Sequence, residues 1–139
     1  MRSVLIAFLI ATTPVALAGC ATAKSVNAAA VDQGTPHDFA APYDLVKAAA
    51  LEGINRLNVN VQSTDETPER FQIRFTKSIS AFSWGEVGAV NVVRVDDANS
   101  RVYVNSAKRS QMQITGTSER EFAEKIFENI SESLARIQN

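Results

Sequence analysis

Two reactive residue types are almost absent from this chain of 139 residues, which contains one cysteine and one histidine. A single cysteine excludes an intrachain disulfide, so the fold must depend on packing alone. Zinc sites need three or four Cys, His or carboxylate ligands, and a catalytic triad needs a base beside a nucleophile. His37 lies beside Pro36 at the end of a polar segment and supplies neither arrangement. We therefore predict no metal site and no cofactor.

An excess of charge of one sign is also missing, because the formal net charge is only −1. Nucleic-acid-binding proteins normally carry a clustered basic footprint, so we expect no nucleic-acid partner. The neighbouring carboxylates Asp65/Glu66 and Asp96/Asp97 lie in segments typical of turns, where acidic side chains form local hydrogen bonds. No catalytic residues are identified, and we predict that the protein is not an enzyme.

No apolar run is long enough to span a membrane. The longest one, residues 4–17, follows Arg2 and is interrupted by Thr12, Thr13 and Pro14. A transmembrane helix needs about 20 apolar residues, so we do not expect a retained anchor helix. A basic residue followed by a short apolar run is instead typical of a secretion signal.

The signal ends in Leu17-Ala18-Gly19-Cys20. This motif resembles the lipobox of bacterial lipoproteins, in which a peptidase cleaves directly before a cysteine that becomes lipidated. The resemblance implies a signal peptide at residues 1–19 and a lipid anchor at Cys20. Ala21 is not aspartate, which resembles the pattern that enteric-type bacteria send to the outer membrane, facing the periplasm. The alternative is soluble secretion, since residues 16–18 also fit the small-x-small cleavage pattern.

Residues 20–41 are predicted to be a flexible tether. Residues 21–37 are small and polar, and such a segment buries too little apolar surface to offset the entropy lost on ordering. A single α+β domain is predicted from residue 42 to residue 139.

This domain should begin with a helix from Pro42 to Leu57. Proline suits the first helical position, and apolar residues then recur every three or four residues. The small residues Ala50 and Gly53 on the apolar face indicate close contact with a neighbouring sheet.

From residue 58 onward the apolar period changes to two. Four strands are predicted, around Val59 and Val61, from Phe71 to Phe75, from Val87 to Val95, and around Val102 and Val104. Polar turns are predicted at residues 63–68 and 96–100. The fourth strand would break at residues 107–109 and could continue to Met112 and Ile114. The third run is apolar at both odd and even positions, which predicts either a bulge or burial on both faces.

The last segment predicts an amphipathic helix. Ser118 and Glu121 have capping-box spacing, and the helix should carry the pairs Glu121–Lys125 and Glu132–Arg136. Short connections favour antiparallel strands. The expected fold is therefore α-β-β-β-β-α, an antiparallel four-stranded sheet with both helices on one face.

Parts of this domain are similar to a group of uncharacterised bacterial α+β domains. The similarity covers about residues 42–138 and depends on Ser83–Glu86, Val102–Ser106, Gln111 and the C-terminal helix. Where such domains often have a Trp-Gly-Lys-Asn turn, this chain has Thr115-Gly116-Thr117-Ser118. The resemblance implies the fold and carries no activity.

Two surfaces are candidates for binding. Phe82 and Trp84 lie between two predicted strands, where they either contact a partner or close one end of the core. Arg74, Arg94 and Arg101 are expected on the sheet face opposite the helices, as a site for an anionic ligand or as an ordinary solvated face.

Three functional hypotheses follow. The leading one is a non-catalytic, lipid-anchored envelope protein that presents its domain for protein interaction. The alternative is a binding domain for a small amphiphile or lipid held between helices and sheet, which requires a cavity of a few hundred Å³. A cell-wall-modifying enzyme is the third, although no residues for its chemistry are identified.

The lipobox resemblance leads to a direct prediction about Cys20. Cells given a radiolabelled fatty acid should label the wild-type protein but not the Cys20→Ala variant, because the lipids are attached at this cysteine. Immunoprecipitation and autoradiography measure the label. Unlabelled wild-type protein would contradict lipidation, and secretion of a soluble form would then be the remaining interpretation.

Overall fold

Five strands and two helices form the described part of the protein, in the order β-α-β-β-β-β-α. The computed structural model describes residues 31–78, 86–108 and 118–139. The strands are β1 (Thr35–Phe39), β2 (Asn60–Glu66), β3 (Arg70–Lys77), β4 (Glu86–Arg94) and β5 (Ser100–Lys108), and the helices are α1 (Tyr43–Asn55) and α2 (Glu119–Ile137). The predicted α+β class is confirmed.

The sheet has five strands rather than the predicted four. Its order is β1-β5-β4-β3-β2, and all neighbours are antiparallel. The additional strand β1 lies within the range assigned to the tether and pairs with β5, from Thr35 opposite Val104 to Phe39 opposite Ser100. Only Phe39 of β1 is fully buried, so the segment lacks an apolar pattern of its own. Backbone pairing with β5 therefore accounts for the strand conformation of β1.

Helix α1 forms within the predicted range, but Pro42 is its N-cap rather than its first residue, and the helix ends at Asn55 rather than Leu57. Its buried side includes Val46, Ala49 and Ala50. The close approach at Gly53, however, is to α2 and not to the sheet. A Cβ added at Gly53 would lie 3.1 Å from the Ile130 backbone nitrogen, and the Asn129 side chain donates a hydrogen bond to the Gly53 carbonyl at 3.2 Å. The small residue therefore brings the two helices together.

Strand β4 is buried on both faces, which resolves the ambiguous pattern of the third run. Val90 and Val92 face the helices, and Val87 and Ala89 form a separate buried pair on the other face. The register with β3 and β5 continues without a bulge. β4 is the middle strand of the sheet, and such a position favours apolar residues on both sides.

The predicted turn at residues 63–68 is partly wrong, because β2 continues to Glu66. A register shift between Val61 and Ser63 places a bulge here, in the edge strand. Ser63 to Glu66 are polar and exposed, and pairing with β3 rather than burial makes them a strand. The predicted break at residues 107–109 also differs, since β5 extends through Lys108. Met112 and Ile114 lie outside the described residues.

Helix α2 begins with the predicted capping box. The Ser118 side chain accepts a hydrogen bond from the Glu121 backbone nitrogen, and the Glu121 side chain accepts one from the Ser118 nitrogen. The predicted ion pairs within α2 are replaced by others. Arg136 contacts Glu52, and Glu132 contacts Arg56 at 2.9 Å, so both pairs join α2 to α1.

One core lies between the helices and the sheet. The strand residues facing it are Phe71, Ile73, Phe75, Val90, Val92, Val102 and Val104, and the helix residues include Val46, Ile54, Ile126 and Ile130. Both helices contribute to this cluster and pack on each other.

Close packing of the helices gives a stability prediction. Gly53→Leu should destabilise the domain by about 1–3 kcal/mol, because the side chain would collide with the backbone of α2. Urea unfolding followed by circular dichroism measures the change.

Ala48→Leu is the matched control, since Ala48 is on the exposed side of the same helix. This variant should change the free energy of unfolding by no more than about 0.5 kcal/mol. Equal effects of both substitutions would show that the close approach at Gly53 does not limit the packing of the helices.

Candidate functional site

An open groove of about 630 Å³ lies at one end of the helix–sheet layer. Its apolar lining consists of Leu57, Val59 and Phe122. Its polar rim consists of Asn58, Lys77, Glu121, Glu124, Lys125 and Glu128. We call this site the end groove. It combines a small apolar floor with charges of both signs.

Local structure explains why apolar groups reach this end. After α1 the chain turns tightly, with the Leu57 nitrogen donating to the Ile54 carbonyl at 3.0 Å and the Val59 nitrogen donating to the Leu57 carbonyl at 2.8 Å. Leu57 and Val59 are only half-buried and pack against the margin of the core. Phe122, in the first turns of α2, lies 5.8 Å from Phe75 between ring centroids. The groove is thus the open margin of the core.

The charged rim is held by neighbouring contacts. The Lys125 Nζ lies 2.7 Å from a Glu128 carboxylate oxygen, and this hydrogen bond raises the pKa of Lys125 and lowers the pKa of Glu128. The Lys77 Nζ lies 5.2 Å from the Phe122 ring centroid, within the range of a cation–π contact.

The other two rim carboxylates, Glu121 and Glu124, form contacts within α2. Glu121 completes the capping box, and Glu124 contacts Arg120 at 3.4 Å. The rim therefore offers fixed charges around an apolar floor, an arrangement suited to binding an amphipathic group.

His37 lies in β1 and faces an aromatic cluster. Its ring stacks on Phe127 at 4.9 Å with an interplanar angle of 24°, and it lies 4.7 Å from the Phe39 ring. Across residues 31–78, 86–108 and 118–139, no group of three or more His, Cys, Asp or Glu side chains is placed to hold a metal ion. The contacts of His37 are those of a packing residue.

The three arginines do not share one face. Arg74 and Arg101 lie on the face away from the helices, where they pair with Ala89 and Val93. Arg94 lies on the helix side, and its guanidinium carbon is 4.6 Å from the Tyr43 ring centroid. The predicted position of Arg94 was therefore wrong. Because β4 carries apolar residues on both faces, its sequence does not show which face Arg94 occupies.

The two acidic pairs differ: Asp65 and Glu66 lie in β2 and not in the predicted turn, whereas Asp96 and Asp97 lie in a turn as predicted. Asp65 contacts Arg70 at 3.1 Å, and Glu66 contacts Lys47 at 2.6 Å. Asp96 accepts a hydrogen bond from the Ala98 nitrogen at 2.8 Å and others from the Asn99 side chain, as expected for a turn.

Other predicted residues lie outside the described part of the chain. These are the lipid attachment residue Cys20 and the aromatic pair Phe82 and Trp84. Among the described helices, none combines the length and apolar character needed to cross a membrane.

Sequence reasoning missed the end groove. Phe122, Leu57 and Val59 follow the apolar patterns of helix and strand, so they are predicted as ordinary core residues. Their positions near the ends of helices and strands could have indicated the groove, because apolar residues at the ends of an element often lie at the margin of the core.

The ion pair between Asp38 of β1 and Arg101 of β5 gives a pH prediction. The Arg101 Nη2 donates to an Asp38 oxygen at 2.8 Å, and this hydrogen bond holds the pKa of Asp38 below its usual value of 3.8. The stabilisation is present above the unfolded-state pKa, about 3.9, and is lost as the pH falls through the lower folded-state value. Carboxyl NMR titration should give Asp38 a midpoint below 3.8.

Arg101→Gln should return that midpoint toward 3.8. Asp96 is the internal control, because its pKa is lowered by Asn99 and Ala98 and should stay low in the variant. A wild-type midpoint of 3.8 for Asp38 would show that the pair does not persist in solution.

Comparison with known proteins does not assign this chain to a family. No protein-family profile matches the chain, and no curated protein is significantly similar to it. Neither comparison transfers an activity to this protein.

Proposed function

We propose that this protein is a non-catalytic, lipid-anchored protein of the cell envelope that binds a partner protein through the end groove. Cys20 would carry the anchor, in the outer membrane and facing the periplasm. The sequence Leu17–Cys20 supports the anchor, and the apolar floor of the groove supports a binding role. The groove is the observation on which the proposal depends.

An amphipathic segment of a partner protein fits this geometry. Its apolar side chains would lie on Leu57, Val59 and Phe122, in a volume within the usual range for binding pockets. Its polar side would meet the rim, which contains Lys77 and Lys125 together with three glutamates. Charges of both signs favour one orientation of the bound segment and reject partners with the wrong pattern.

The contacts of the rim carboxylates favour a binding role over a catalytic one. A general acid or base must be free to exchange a proton with a substrate. Glu121 is committed to the helix cap and Glu128 to Lys125. These contacts support a rim that recognises a ligand without reacting with it.

Binding of a small amphiphile is the second candidate. It is favoured by the size of the groove and by Lys77 and Lys125 beside the apolar floor, where an anionic head group would be neutralised. Such a ligand would lie at the end of the layer rather than between helices and sheet, since Ile73, Val90 and Ile130 fill that interior and are 0% exposed.

Photocrosslinking in intact cells tests the proposal. A benzophenone amino acid at Asn58, on the rim, should give one defined protein adduct on a denaturing gel. The same group at Ala98, in the exposed turn at the other end of the sheet, is the positional control. Identical products from both positions, or none from Asn58, would refute partner binding by the groove. An adduct with lipid alone would favour the second candidate.

A matched pair of variants identifies the contact. Val59→Asp places a charge on the apolar floor and should abolish the Asn58 adduct. Leu51→Asp adds the same charge at a side chain that is 37% exposed and away from the groove lining, and should leave the adduct unchanged. Urea unfolding of both purified domains confirms that each variant is folded.

A further inference from the structure

Three glutamates line the α2 side of the end groove. Glu121, Glu124 and Glu128 are spaced three and four residues apart, so they lie along one face of the helix and span about 10 Å of its length. Residues 57–59, which line the groove after the end of α1, carry no charge. The negative charge of the rim therefore lies along α2.

The start of the helix explains only part of this negative charge. A carboxylate in the first turn is stabilised by the helix dipole, and Glu121 lies there and completes the capping box. Glu124 and Glu128 lie beyond the first turn, where the effect of the dipole has faded. Their position beside an apolar groove is consequently not accounted for by helix capping.

The two lysines of the rim do not remove this excess of negative charge. They set two ammonium groups against three carboxylates. The Lys125 Nζ already contacts Glu128 at 2.7 Å, and Lys77 extends from β3, with its Nζ 5.2 Å from the Phe122 ring centroid. Among the described residues, Glu128 is the one rim carboxylate in contact with a rim lysine.

Each of the three carboxylates retains an acceptor for a ligand. Glu121 accepts a hydrogen bond from the Ser118 nitrogen through Oε2 at 3.4 Å. Glu124 accepts one from the Arg120 side chain through Oε1 at 3.4 Å, and Glu128 accepts one from a lysine through Oε2 at 2.7 Å. Within the described residues, these contacts leave the second oxygen of each carboxylate available. An ionised carboxylate has about four acceptor sites, so each can bind a further cationic group without losing its present contact.

We infer that the partner segment in the end groove is basic as well as amphipathic, with Lys or Arg side chains that pair with the carboxylates along α2. Its apolar side chains lie on the floor of the groove. The inference rests on the proposed binding of a partner protein by this groove and adds the chemical class of the bound segment. Two basic residues about 10 Å apart, as on successive turns of a helix or three residues apart in a strand, match the spacing from Glu121 to Glu128.

Charge complementarity separates this segment from other occupants of the groove. An acidic segment would meet three carboxylates and be repelled, and so would an anionic lipid head group. The carboxylates along α2 therefore favour a basic protein segment over the amphiphile of the second candidate.

Identification of the crosslinked segment tests the inference directly. The full-length protein with benzophenone at Asn58 is crosslinked in intact cells, and the purified adduct is digested with chymotrypsin, which leaves Lys and Arg in the peptides. Mass spectrometry then identifies the attached peptide of the partner. This peptide should contain two or more Lys or Arg residues, and an apolar residue, within about two helical turns of the attachment point. An attached segment without net positive charge would overturn the inference.

A matched pair of charge reversals tests the contact from the side of the groove. Glu124→Lys should lower the yield of the Asn58 adduct several-fold, because repulsion replaces attraction of the basic segment. Glu119→Lys makes the same charge change at an exposed residue of α2 outside the groove lining, and should leave the yield unchanged. Because Glu119 lies nearer the start of the helix, its replacement disturbs the helix dipole at least as much. Equal yields from the two variants would overturn the inference.

The outcomes distinguish this inference from the proposed function. A protein adduct at Asn58 that withstands Glu124→Lys refutes the basic segment and leaves partner binding by the groove intact. The lack of any protein adduct at Asn58, including the case of an adduct with lipid alone, refutes partner binding and the basic segment with it.

Discussion

Burial of the helix-facing side of β3, β4 and β5 is the constraint on which the rest of the structure depends. With one cysteine in the chain, no disulfide can hold the domain, and apolar burial contributes about 25 cal/mol per Å². Both helices must cover this face at once, and each therefore meets the other. Gly53 allows the close approach of the two helices. The ion pairs Arg136–Glu52 and Arg56–Glu132 also join them.

The end groove follows from the limits of this packing. Along the middle of the sheet the helices fill the layer with fully buried side chains, but Leu57 and Val59 lie where α1 has already ended. Phe122 lies where α2 has only begun. Leu57 and Val59 are only half covered by their own domain, and a ligand can complete their burial. The proposed binding role uses surface that the fold leaves incompletely packed.

The strand β1 extends the sheet beyond the domain start predicted at residue 42. Pairing with β5 shortens the chain between Cys20 and the folded part of the protein, and it sets Thr35 opposite Val104, at the middle of β5. The same pairing covers one edge of the sheet with a short strand containing Pro36, which discourages further strand addition. At the other edge, β2 is polar and bulged, with the same effect.

The sequence alone determined the elements whose signal is local. The span of α1, the capping box at Ser118, the alternation of Phe71, Ile73 and Phe75, and the turn at Asp96 were all predictable, because each depends on neighbouring residues. The lipobox, which also depends on adjacent residues, predicts the anchor at Cys20.

Only the tertiary structure decided the features that need a distant partner. β1 and the polar part of β2 are strands because a neighbouring edge pairs with them, and β4 is apolar on both faces because it lies in the middle of the sheet. The end groove could not be predicted for the same reason. It joins a residue of α2 to the connection after α1, and only the packing of the helices on one sheet brings them together.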